Sequence, residues 1–151
     1  RSIAGFPGVV HVTNREIIEL PCDVLIPAAI QNQITVDNAP KLACRLLVEG
    51  ANGPLTPAAD EILADRGIPV IPDVLANAGG VTCSYLEQCQ NFAHLTWDED
   101  QVNARVTDLM RAAFNRFYAF AETSSLPFRL ATSVLGVKTI ADAHRMRGLH
   151  P

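Results

Sequence analysis

Hydrophobic patterning divides the chain near residue 80. Upstream, short apolar runs alternate with polar stretches rich in helix-capping residues; downstream, apolar residues recur every three or four positions. A compact apolar run bounded by turn residues predicts a strand buried on both faces. Asp23-Val24-Leu25-Ile26-Pro27-Ala28-Ala29 has this form, and Arg45-Leu46-Leu47-Val48-Glu49 is a second buried run. Pro69-Val70-Ile71-Pro72 predicts a third, shorter strand; its prolines cannot donate ladder bonds, which places it at a sheet edge.

Helix starts and stops punctuate these runs. After a loop-like opening interrupted by Gly5, Pro7 and Gly8, Thr13-Asn14-Arg15-Glu16 has capping-box spacing and predicts a helix from Asn14 to Glu19, stopped by Pro21. Residues 38–42 predict a short helix. Thr56-Pro57 supplies a cap and a first-turn proline to a helix that ends at Gly67, with Asp60 and Glu61 in its early turns. Residues 79–90 follow as helix. Thr96-Trp97-Asp98-Glu99 reads as a second box opening a helix through about residue 121. Its inward stripe is Val102, Val106, Leu109, Met110, Ala113, Phe117 and Phe120. A break at Thr123–Pro127 precedes a last helix over residues 128–147, with Leu130, Val134, Val137, Ile140 and Ala141 inward. Arg145 and Arg147 fall in its final turn, and Gly148 is its left-handed stop.

Strand, helix, strand, helix, strand and then helices is an α/β order with a parallel sheet. The expected architecture is one partial domain over residues 1–151, with a strand-and-helix part at 1–80 and carboxy-terminal helices at 81–151.

Composition narrows the classes. The 151 residues are 48% hydrophobic and 19% charged, with a formal net charge of −4, which argues against a nucleic-acid binder. No apolar run approaches membrane-span length. The opening Arg1–Gly5 shows no signal-peptide pattern, and the chain does not start with methionine, leaving open that its natural amino terminus lies upstream. Cys22, Cys44, Cys83 and Cys89 form no C-x-x-C pair and match no zinc spacing; they read as buried, reduced thiols of a cytoplasmic protein. His11, His94, His144 and His150 are scattered and read as surface or packing residues, not metal ligands.

Candidate chemistry lies where the strands end, because ligands of open parallel sheets gather beyond the carboxyl ends of the strands. Three loops leave there: Pro27-Ala28-Ala29, Gly50-Ala51-Asn52-Gly53 and Ala76-Asn77-Ala78-Gly79-Gly80. Small residues let a flat ring approach backbone, and asparagine amides offer both donor and acceptor. The helix starting at Gly79-Gly80 adds unpaired N–H groups and a positive dipole end. The residues alone leave two readings open: ordinary turns, or a shared ligand crevice.

The segments Cys22–Ala29, Glu49-Gly50-Ala51-Asn52-Gly53-Pro54-Leu55-Thr56-Pro57-Ala58-Ala59-Asp60 and Pro72–Tyr85 resemble the glutamate dehydrogenase family, the group that also holds leucine, phenylalanine and valine dehydrogenases. The likeness continues through Gln90-Asn91, Trp97 and Ala141–Gly148, covering essentially the whole chain. It implies the carboxy-terminal part of an NAD(P)-binding domain, an incomplete Rossmann-like sheet of about three strands. It also implies roles. Ala28 and Ala29 would line the nicotinamide pocket. Asn52 would contact the nicotinamide ribose, and Asn77 the nicotinamide carboxamide or ribose. Val81 and Ser84 would face the amino-acid side chain, with the Ser84 hydroxyl donating to the distal carboxylate of glutamate. On the residues alone, Ser84 reads instead as a helix hydroxyl bonded to its own backbone.

The implied reaction is reversible oxidative deamination of L-glutamate to 2-oxoglutarate and ammonia, with NAD or NADP. The family's G-x-G-x-x-G turn is absent: the nine glycines include no G-x-G. Nor does either lysine, Lys41 or Lys138, sit in a glycine-rich lysine motif like the one that carries the family's catalytic lysine. The resemblance therefore implies that the catalytic lysine, its partner aspartate and the substrate domain lie upstream, and that the full-length enzyme is a homo-oligomer. The chain alone is expected to be inactive, and the strand at Val24–Ile26, unpaired on one side, to drive association or rearrangement. The alternatives are a non-catalytic interaction or regulatory module, or another α/β enzyme; no nucleophile–base pair or carboxylate dyad supports the last.

Overall fold

The computed structural model describes residues 5–148; Arg1–Ala4 and His150 lie outside the described residues. Three strands, β1 (Cys22–Leu25), β2 (Cys44–Val48) and β3 (Val70–Ile71), form one parallel sheet in the order β1-β2-β3. Val24 pairs with Leu46 and Leu47 with Val70. The α/β order and the parallel sheet are as expected, and β3 is an edge strand.

Among the described residues, six helices accompany the sheet. Helix α1 (Asn14–Glu19) has the predicted box: Glu16 N–H donates to the Thr13 hydroxyl at 3.2 Å, and Thr13 N–H to the Glu16 carboxylate at 2.7 Å. Residues 38–42 yield one 3-10 turn, Ala39–Lys41. Helix α2 (Pro57–Asp65) is capped by the Thr56 hydroxyl, which accepts from Ala59 N–H at 3.3 Å. A short helix the pattern did not signal, α3 (Asp73–Ala76), fills the space between β3 and the glycine pair. Three longer helices, α4 (Gly79–Ala93), α5 (Glu99–Ser124) and α6 (Phe128–Arg147), complete the chain.

Beyond the cysteines, of which Cys44 is buried while Cys22 and Cys83 are exposed, and Leu109, which is exposed on α5 instead of inward, three expectations need correction. The cap of α5 is Asp98, not Thr96: its carboxylate accepts from Gln101 N–H at 2.8 Å and the Gln101 amide returns the bond, because a carboxylate nearer the helix start wins the cap. Strand β1 is not buried on both faces. Cys22, Asp23 and Val24 are exposed, since β1 pairs only with β2 among the described residues.

The third correction concerns α6. Leu130, Val134, Val137 and Ile140 are exposed, and the side chains packed inward are Phe128, Ala131 and Leu135. At the start of the helix Arg129 is held by the carboxylates of Glu49 and Asp60, and the face that packs is the one carrying Phe128, Ala131 and Leu135.

Two apolar clusters hold the molecule together. The larger lies between the sheet and α2, around Ile34, Leu42, Leu47, Ala59 and Leu63. The smaller joins Leu75 to Phe117, Ala121 and Ala131, with Phe128 edge-on to Phe117 at 5.3 Å between ring centroids. The second cluster seats α5 and α6 against α3, and so against the loops at the strand ends. Among the described residues, no helix is long and apolar enough to cross a membrane.

Candidate functional site at the strand ends

All three small-residue loops meet at the carboxyl edge of the sheet. Ala51 N–H donates to Pro27 O at 2.9 Å, tying the second loop to the first. Glycine at position 50 gives the two loops room: a Cβ there would lie 3.0 Å from the Ala28 Cβ and 3.4 Å from its Cα, so the first loop would have to shift by a few tenths of an ångström. Gly53, with φ of +55°, closes the loop in the left-handed region that glycine adopts without strain.

The third loop is tied by its side chain. The Asn77 amide donates to Asn52 Oδ1 at 2.7 Å and approaches Gly50 O at 3.5 Å. This leaves the Asn52 amide nitrogen as a donor and the Asn77 carbonyl oxygen as an acceptor. Around them is an open cavity of about 800 Å³ lined by Ala29, Gly50, Ala51, Asn52, Asn77 and Val81, with Ile30 and Gln31 at its margin. Helix α4 starts at its edge without a side-chain cap.

Of the residues singled out from sequence, Ala29, Asn52, Asn77 and Val81 thus line one cavity. Ala28 stands behind it, packed on Gly50. Ser84 lies one turn beyond Val81 and opens instead on a smaller cavity of about 410 Å³ with Val81, Tyr85, Glu87, Gln88 and Asn91. Val81 borders both. The hydroxyl that bonds its own helix backbone belongs to Thr82, donating to Ala78 O at 2.8 Å; Ser84 donates to no protein group among the described residues.

Sequence reading missed the polar network beneath this shelf. Glu49, at the end of β2, is the only buried charged residue among those described, at 0% exposure. Its carboxylate accepts from Arg129 Nη2 at 2.8 Å, Arg129 Nη1 at 3.0 Å and Asp73 N–H at 2.8 Å. Arg129 also donates to Asp60 at 2.8 Å. Burial works against the guanidinium's charge, but hydrogen bonds to Glu49 and Asp60, with their negative charges, outweigh it and raise its pKa above the usual arginine value. The available signal was an acid closing an apolar strand, which needs a buried partner. Nothing local indicated that the partner lies 80 residues away.

Among the described residues, no group of three or more His, Cys, Asp or Glu side chains is placed to hold a metal ion. The chemistry this edge offers is hydrogen bonding and close approach to a flat polar ring.

A sequence profile for Glutamate/Leucine/Phenylalanine/Valine dehydrogenase matches residues 1–148. The chain is 47% identical over 137 residues to an NAD-specific glutamate dehydrogenase of Staphylococcus aureus, covering 91% of this chain and 33% of that protein. It is 43% identical over 150 residues to a glutamate dehydrogenase of Thermotoga maritima, covering 99% and 36% respectively. The solved hetero-hexameric glutamate dehydrogenase of Thermus thermophilus, in its Leu-bound form, superposes with a TM-score of 0.81 at 29% identity, covering 98% of this chain and 36% of that one. The fold is accordingly of Rossmann type. The chain spans about a third of the length of the curated relatives it matches.

Proposed function

The chain belongs to the glutamate/leucine/phenylalanine/valine dehydrogenase family, and on that footing we propose that it is the nicotinamide-facing part of the NAD(P)-binding domain of a glutamate dehydrogenase. Residues 1–151 act as one partial domain in this reading, within a cytoplasmic homo-oligomer. The reaction is reversible oxidative deamination of L-glutamate to 2-oxoglutarate and ammonia. The observation that carries the reading is the shared shelf on which Asn77 bonds Asn52 at 2.7 Å.

The residues present fit the cofactor. Gly50 and Ala51 keep the floor low, and the cavity of about 800 Å³ falls in the range of small-molecule sites. Ala29 borders the ring, with Ala28 packed on Gly50 next to it, and Asn52 and Asn77 hold the ribose and carboxamide through their spare donor and acceptor. Val81 and Ser84 face the substrate side chain. Once bound, the nicotinamide supplies a hydride acceptor or donor. The name of the Staphylococcus relative favours NAD over NADP.

We further propose that the 151 residues alone do not turn over glutamate. Lys41 and Lys138 are engaged away from the shelf, by Glu19 at 3.7 Å and Asp142 at 2.8 Å. Asp73, beneath the shelf, is occupied by the N–H groups of Gly53 and Val74. The second reading, a non-catalytic interaction module, draws on the exposed Val24 and Ile26 at the open β1 edge.

NADH and NADPH titrations test the proposal, using nicotinamide fluorescence together with hydrogen exchange. Saturable binding that protects residues 28–29, 50–53 and 77–81 is expected. Absence of binding, or protection confined to the β1 edge, would favour the second reading.

A further inference from the structure

The network beneath the shelf connects to both asparagines. The Asp73 Oδ2 atom accepts from Gly53 N–H at 2.8 Å, directly after Asn52. The Asp73 carbonyl accepts from Asn77 N–H at 3.0 Å. The Asp73 N–H is itself held by Glu49 at 2.8 Å, and Glu49 by both terminal nitrogens of Arg129. A continuous path therefore runs from the first turn of α6 through the end of β2 to the two cavity-lining amides.

Stability alone is a poor account of this arrangement. A buried ion pair returns little net stability against packed apolar side chains, because both charges lose water. What a two-pronged guanidinium–carboxylate bond supplies is fixed geometry. Fixed geometry matters at a site where about 1 Å of misplacement costs on the order of a hundredfold in rate.

We propose that Arg129, Glu49 and Asp73 are positioning residues that set Asn52 and Asn77 in register for the nicotinamide, so that the first turn of α6 controls cofactor affinity without touching the cofactor. The proposal rests on the nicotinamide reading given above.

The test uses the protein carrying this chain, with NADH as probe. Asp73→Ala removes the acceptor for the N–H groups of Gly53 and Val74 and the 4.0 Å approach to Arg129, but leaves the bidentate Glu49–Arg129 pair; circular dichroism and the melting temperature check that folding is retained. The NADH Kd is expected to rise about fivefold to tenfold, the worth of one hydrogen bond. Asp73→Asn can keep its single carbonyl oxygen facing Gly53, at the cost of the bond from Val74 N–H, and should restore part of the affinity. Arg129→Lys keeps the charge and loses the fork; Kd should rise while the melting temperature drops only modestly. If the unsubstituted protein binds no NADH, the nicotinamide reading itself fails and this proposal with it. If it binds NADH and Asp73→Ala binds equally well, only the positioning role is overturned. A lower melting temperature in Arg129→Lys with unchanged Kd also overturns it, leaving the network a purely structural brace.

Discussion

Asn77 donates to Asn52 across 2.7 Å although 25 residues separate them. The bond joins the loop that leaves β2 to the carboxyl end of α3, the short helix that follows β3 where the sequence suggested a loop, and it orients each amide by means of the other. Asn52→Ala or Asn77→Ala is expected to weaken NADH binding about fivefold to tenfold, the range for one lost hydrogen bond. The double variant should lose less than the product of the two, because each single change already breaks the shared bond. Fluorescence titration of the four proteins measures this; strict additivity would mean the two amides act independently.

Arg129→Met should destabilise the protein by about 3 kcal/mol, because the Glu49 carboxylate, at 0% exposure, would stay buried without its partner. Arg145→Met should change stability by no more than about 0.5 kcal/mol, because the Arg145–Asp142 pair is exposed. Urea denaturation of the two variants separates these outcomes.

The orientation of α6 makes a contrasting pair of predictions. Ile140 is 72% exposed, so Ile140→Ser should shift stability by about 0.5 kcal/mol or less. Ala131 is 0% exposed against Leu75 and Phe117, so Ala131→Leu should cost about 1–3 kcal/mol through overpacking. Thermal melts showing the reverse order would restore the inward stripe expected from sequence.

The Glu16 pKa is lowered from the ordinary 4.5, first by the Thr13 backbone N–H and then by the Thr13 hydroxyl. A carboxylate whose pKa is depressed by folding stabilises the folded state fully above its unfolded value. That contribution is lost as pH falls through the lower, folded value. The α1 cap should therefore persist at pH 5 and fray as pH falls through the lowered Glu16 value. Carboxyl NMR titration should place the Glu16 midpoint below 4.5, and Thr13→Ala should move it part of the way back.

Val24 and Ile26, 47% and 57% exposed, lie on and just beyond β1 at the sheet edge. The 151-residue chain should associate as concentration rises, through edge pairing and apolar contact. Val24→Lys should shift it toward monomer in light scattering. A wild-type chain that stays monomeric at high concentration would contradict this.

Features that depend on four or five consecutive residues were legible in advance. The Thr13 and Thr56 caps, the proline-bounded edge strand and the glycine–asparagine loops follow from hydrogen bonding and backbone freedom within a single turn of chain. The parallel order follows from alternation of element types. The misreadings share a cause. β1 looks like a core strand because its apolar residues say nothing about how many neighbours it has. The α6 stripe looks inward because periodicity marks a face but not its direction.

Direction, neighbours and charge partners belong to the folded chain. Arg129 meets Glu49 across 80 residues, and Asp73 meets Gly53 across 20; the first contact ties α6 to the end of β2, and the second ties α3 to the loop that carries Asn52. Local sequence specifies which conformation each segment prefers, because that preference is an energy of near neighbours. Where a side chain ends up, and whether a buried charge finds its counterpart, depends on distances that exist only after the chain has closed on itself.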